Sequence, residues 1–100
     1  MAISEQLNMA ASGAAIIFMD LFDTAVVSYS PLLVEGGHAA SLDCFKTKNR
    51  IISIVLDSHP GVFNISVTDA NDQVISNDVL PEAQITTSTL LGYMENHFHK

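Results

Sequence analysis

One hundred residues make a single domain, with no length left for a second independent core. At 48% apolar and 15% charged, with a net charge of −7, the composition excludes a disordered chain. It also argues against binding to nucleic-acid phosphates or anionic membrane surfaces, which are held by Lys and Arg.

Residues 4–29 predict one long helix, with Ser4 as its cap. Apolar residues recur near a 3.6 period at Leu7, Ala11, Ala14, Phe18, Leu21, Ala25 and Tyr29. Ile16, Met19, Phe22, Val26 and Val27 fill much of the remaining circumference, and the polar face narrows to Asp20, Asp23, Thr24 and Ser28. A helix apolar around most of its girth is buried on more than one side. Ala10, Ala11, Gly13, Ala14 and Ala15 permit another helix to come close. Ala14–Phe18 and Thr24–Tyr29 also read as strands. Asp20 and Asp23 interrupt the apolar run from Ala14 to Val27 well short of a membrane span.

Pro31 ends that element, and Glu35-Gly-Gly-His38 is a turn. A second helix is expected from Ser41 to about Ser58, with Ser41 as N-cap and Asp43 in its first turn. Its polar residues Lys46, Arg50, Ser53 and Asp57 are spaced four, three and four apart, a helical stripe. The β-branched run Ile51-Ile-Ser-Ile-Val55 pulls toward a strand. His59-Pro-Gly61 stops the element. Phe63, Ile65 and Val67 then alternate with Asn64, Ser66 and Thr68. With the turn Asp69-Ala-Asn-Asp72 and the return Gln73–Ser76, they make a hairpin. Asn77 and Asp78 introduce a last helix, with Pro81 in its first turn and Ala83, Thr87, Leu90, Met94 and Phe98 along one face. The expected fold class is therefore α+β: two N-terminal helices, a central antiparallel β-hairpin and a C-terminal helix, with residues 1–100 as one domain.

Pro60-Gly-Val-Phe-Asn-Ile-Ser-Val-Thr-Asp-Ala-Asn-Asp-Gln-Val-Ile-Ser-Asn77, followed by Leu90-Leu-Gly-Tyr93, resembles the N-terminal half of a PAS sensor domain. The resemblance spans residues 50–100. It implies a short helix leading into a strand with an Asp-rich turn, a second strand ending in Asn, and a helical segment closing on Leu-Gly-Tyr. The turn carries Asp72 where the family has Gly, and the three-stranded half that closes the family's ligand pocket has no counterpart. The resemblance therefore transfers no binding residues, and what it implies is a reduced sensory or dimerisation module.

The residues offer several chemical readings. Cys44 is the only cysteine, so no internal disulfide forms, a reducing compartment is expected, and the thiol reads as a small core residue. His97-Phe-His99 supplies too few ligands for a metal site, and His59 beside a helix C-terminus reads as a dipole partner. Asp20 and Asp23 read as a solvated stripe. Asp69, Asn71 and Asp72 lack the Gly and downstream Glu of a calcium loop. The basic cluster Lys46, Lys48 and Arg50 reads as a partner for acids. No catalytic residue, cofactor or metal is expected.

The apolar surplus points instead to contact, since large exposed apolar patches are rare on monomers. The expected interface is Ile16, Phe18, Met19, Phe22, Val26 and Tyr29, in a homodimer. The expected role is that of a small acidic, non-enzymatic, cytoplasmic regulator or inhibitor acting on another protein. By analogy with phage and mobile-element inhibitors, a host defence or nucleic-acid-handling complex is one possible target. Neither direct nucleic-acid binding nor a membrane is expected.

Overall fold

In the computed structural model, which describes residues 2–22 and 25–98, the first apolar stretch splits into a helix and a strand. Helix α1, Ile3–Leu21, buries Leu7, Ala10, Ala11, Ala14, Ala15 and Phe18. It starts at Ile3, one residue before Ser4, with Ala2 in the N-cap position making no side-chain cap bond, and Phe22 closes it by donating its N–H to the Phe18 carbonyl. The helix expected to reach residue 29 thus ends at residue 21. The β-branched pair Val26-Val27 and the aromatic Tyr29 favour a pleated strand, and strand β1 spans Val27–Val34. Pro31 lies inside β1 rather than ending an element. Proline is tolerated there because β1 is an edge strand.

The expected second helix is absent. Residues 41–56 belong instead to strands β2, Gly37–Cys44, and β3, Arg50–Leu56, with a turn between them, and Asp57 and Ser58 lie in the turn that follows. Burial alternates strictly along β3, which is a period of two and not 3.6. The β-branched run decides the backbone, and the helical spacing of Lys46, Arg50, Ser53 and Asp57 is coincidental. Lys46 sits in a turn, Arg50 opens β3, Ser53 is buried beneath the helices and Asp57 lies beyond the strand.

The expected hairpin is present as strands β4, Val62–Thr68, and β5, Val74–Pro81. At its tip Asp69 Oδ1 accepts the N–H groups of Asn71 and Gln73 at 2.8 and 3.0 Å. β5 runs on through Asn77 and Asp78, which were expected to introduce the last helix. After a single 3-10 turn at Glu82–Gln84, helix α2 spans Thr87–His97. The Thr86 hydroxyl caps it by accepting the Thr89 N–H at 3.2 Å. Leu90, Met94 and Phe98 are buried on its inner side, as their spacing predicts.

The chain is α+β, with an N-terminal helix, a five-stranded antiparallel sheet and a C-terminal helix. The strands lie in sequence order, β1-β2-β3-β4-β5, each antiparallel to the next. The β1–β2 connection is a two-residue turn, Glu35-Gly36, with Gly36 at φ 75°. Both helices pack on the same face of the sheet. α1 lies over β1, β2 and β3 and against α2. The small residues of α1 find their partner here. A Cβ added at Gly13 would stand 3.1 Å from the Thr87 hydroxyl at the start of α2.

Polar contacts tie the helices to the sheet. Tyr29 donates to Asn8 Oδ1 at 2.5 Å, Asn49 donates to the His97 carbonyl at 2.7 Å, and Tyr93 donates to an Asp78 carboxylate oxygen. Burial, reinforced by that carboxylate, pushes the Tyr93 phenol up to about 12, and burial alone raises Tyr29. A phenol raised in the folded state favours folding fully below its unfolded value near 10, and the contribution is lost as pH rises toward 12. These are the only two tyrosines, so alkaline titration followed by ultraviolet absorbance should show both phenols titrating above the ordinary value near 10, with Tyr93 last at about 12. Tyr93→Phe should remove the later step. A full two-tyrosine step near 10 in the folded protein would contradict this packing.

Candidate functional site: the uncovered face of the sheet

Because successive side chains alternate, the register fixes what lies on each face. Ile51, Ser53 and Val55 of β3, and Phe63, Ile65 and Val67 of β4, lie under the helices and are buried. The opposite face carries Ile52, Ile54 and Leu56 on the central strand, Val62, Asn64 and Ser66 on β4, and Asn77 and Val79 on β5. Among the described residues neither helix packs on this face. It is polar toward one end and apolar toward the other. One row across the sheet runs Ser30, Ser41, Ile52, Ser66, Asn77, and the next runs Leu32, Ala39, Ile54, Asn64, Val79. Ala39 and Ser41 are only 3% and 4% exposed. Val79, on the edge strand, is 65% exposed.

Two concavities open on this side. At the apolar end a groove of about 280 Å³ is lined by Ile54, Leu56, His59, Val62, Asn64 and Val79. At the polar end a wider cleft of about 530 Å³ gathers Asp43, Lys48, Arg50, Asp69 and Asp72 with Cys44 and Phe45. Its charges largely answer one another. Arg50 Nε stands 2.6 Å from Asp43 Oδ1, and the hydrogen bond to Asp43 holds the guanidinium above its ordinary value. The basic cluster thus partly pairs with an acid of its own chain. Three carboxylates against two bases leave the cleft without the positive field that an anion would need. The pair is solvent-exposed and contributes little to stability.

The expected interface residues separate. Ile16 points outward from α1 and is 67% exposed, and Val26 stands exposed just before β1. Phe18 is 1% exposed, with its ring 4.7 Å from Phe22 and edge-on to Phe98 at 6.1 Å, so it belongs to the core. Met19, Phe22 and Tyr29 are half-buried against that core. The outer side of α1 instead presents Ile16 with Met9, Ile17 and Leu21.

Cys44 is a buried thiol, its Sγ 3.8 Å from the Phe98 carbonyl. His59 caps no helix, because a strand precedes it, and its Nδ1 lies 3.0 Å from Ser58 Oγ. The ring of His97 stacks on Tyr93. Asp20 is exposed, whereas Asp23 and His99 lie outside the described residues. Among the described residues no three His, Cys, Asp or Glu side chains gather at metal-binding distance. No helix among them is long and apolar enough to cross a membrane.

The uncovered face escaped the sequence reading, although β3 carried its signal. Ile51-Ile-Ser-Ile-Val-Leu56 is apolar on both faces. That is the pattern of a strand covered on both sides, while a half-solvated antiparallel strand alternates cleanly, as β4 does. No family model, curated protein or solved structure matches the chain.

Proposed function

We propose that this protein works by contact, as a small acidic regulator or inhibitor that binds another protein chain through the open face of its sheet. The observation that carries this reading is the central strand. β3 places Ile52, Ile54 and Leu56 on a face that the chain's own helices leave bare. These side chains are half-buried by their neighbours in the sheet, and covering the area that remains exposed gains roughly 25 cal/mol per Å². The polar cleft beside them gathers paired charges and a buried thiol, an arrangement that favours docking over chemistry. Homodimerisation and binding of a target protein are both forms of this contact.

Amide spectra of the labelled protein, recorded on dilution and on addition of candidate partners, test the reading. Shifts are expected at Leu32, Ile52, Ile54, Val62 and Val79. Shifts centred on Met9 and Ile16 would move the contact to the helix side, and an unchanging spectrum under every condition would remove it.

A further inference from the structure

We infer that the open sheet face is closed by a second copy of the same chain, the two sheets stacking about a two-fold axis that runs along β3; this rests on the contact reading above. The first argument is charge. The chain carries −7, yet among the described residues the only ionisable side chains on the strands of this face are Asp43 and Arg50, which pair with each other, while Lys48, Asp69 and Asp72 stand in the cleft at its polar end and Glu35 and Asp57 at its apolar end. The middle of the face therefore offers a charged partner no unpaired charge to recognise, and an apolar surface of equal shape covers it without stripping a charge of water.

The second argument is area. At about 4.8 Å between strands and 3.3 Å per residue, five strands of some seven residues project to roughly 550 Å². Two such faces remove about 1,100 Å² from water, close to the ~1,200 Å² at which specific interfaces begin. A reversible dimer is expected at that size.

The third argument fixes the orientation. The apolar half of the face lies toward one end of the strands. A two-fold axis along the strands overlays apolar end on apolar end, while an axis across them would set that end on serines and asparagines. With the axis on the central strand, Ile54 faces Ile54 of the second copy. Leu32 on β1 then meets Val79 on β5, because both lie in the Ile54 row on opposite edges. Sheets stack this way at about 10 Å in β-sandwiches. Glu35 and Asp57 stand at the apolar end of each copy, so salt should tighten the dimer by screening acid against acid, the reverse of a charge-driven complex.

Sedimentation equilibrium on four proteins tests the arrangement: wild type, Leu32→Lys, Val79→Asp, and the double variant carrying both. Leu32 and Val79 lie on the two edge strands of one sheet, about 19 Å apart, too far to pair within a chain. Wild type should be dimeric at high concentration. Each single variant should weaken association at least tenfold while keeping the wild-type circular dichroism. The double variant should recover most of the loss, because each lysine then meets an aspartate of the other copy. Single variants that weaken association without recovery in the double would overturn the two-fold along β3. Dimers unaffected by any of the three but broken by Ile16→Asp would place the contact on α1, leaving contact itself intact. A wild type monomeric at every concentration would remove the second copy as the occupant, and binding of a different protein would then be read from the amide spectra.

Discussion

Phe18→Ala is expected to lower the free energy of unfolding by about 3–5 kcal/mol. Phe18 is fully enclosed, and its ring is the point where α1 meets Phe22 and the C-terminal end of α2 at Phe98. Removing it deletes apolar burial and leaves a cavity that neighbouring alanines at positions 14 and 15 are too short to fill. Ile16, two residues earlier and pointing outward, supplies the control, since Ile16→Ala should change stability by only about 0.5 kcal/mol. Urea denaturation followed by circular dichroism measures both. Equal losses at the two positions would mean that α1 is rotated relative to the sheet.

Gly37→Ala should cost about 3 kcal/mol, although it adds only one methyl group. Gly37 opens β2 opposite Leu56, and a Cβ there would lie 2.1 Å from the Val55 carbonyl oxygen. That oxygen belongs to the backbone of the central strand, so relief requires the β2–β3 ladder to shift and not merely a side chain to turn. The neighbouring Gly36 offers the comparison. A Cβ there meets nothing, and the penalty comes only from its left-handed φ of 75°. Thermal unfolding of the two variants should therefore show the larger drop for Gly37→Ala. The opposite order would mean that the close approach of β2 to β3 is not as described.

The parts of the fold that sequence reasoning reached are those where one physical signal acts alone. Phe63, Ile65 and Val67 alternate with polar residues because β4 has a buried face and an open one, and Asp69 supplies a turn with its own side chain. Leu90, Met94 and Phe98 repeat at helical spacing because only one side of α2 is buried. Two signals competed where the reading failed. From Ile16 to Tyr29 apolar residues resume after Asp20, Asp23 and Thr24 at spacings that fit a continuing helix, so periodicity could not show where α1 stops and β1 begins. Between residues 41 and 58 the chance spacing of Lys46, Arg50, Ser53 and Asp57 imitated a helix, and β3 is apolar on both sides and so lacks the alternation that marks β4. The candidate site was lost by the same route. Leu32, Ile54 and Val79 converge only through the pairing of five strands, which no local pattern encodes. Within the expected interface, exposure separates Ile16 from Phe18, and two residues of spacing along one helix account for the difference.

Isotope-filtered NOE spectra on an equal mixture of labelled and unlabelled chains test most directly whether a second copy covers the sheet. Methyl contacts between Leu32 of one copy and Val79 of the other, with Ile54 contacting its own counterpart, are the expected result. Intermolecular contacts arising from Met9 and Ile16, or none at all at concentrations where the protein is dimeric, would contradict it.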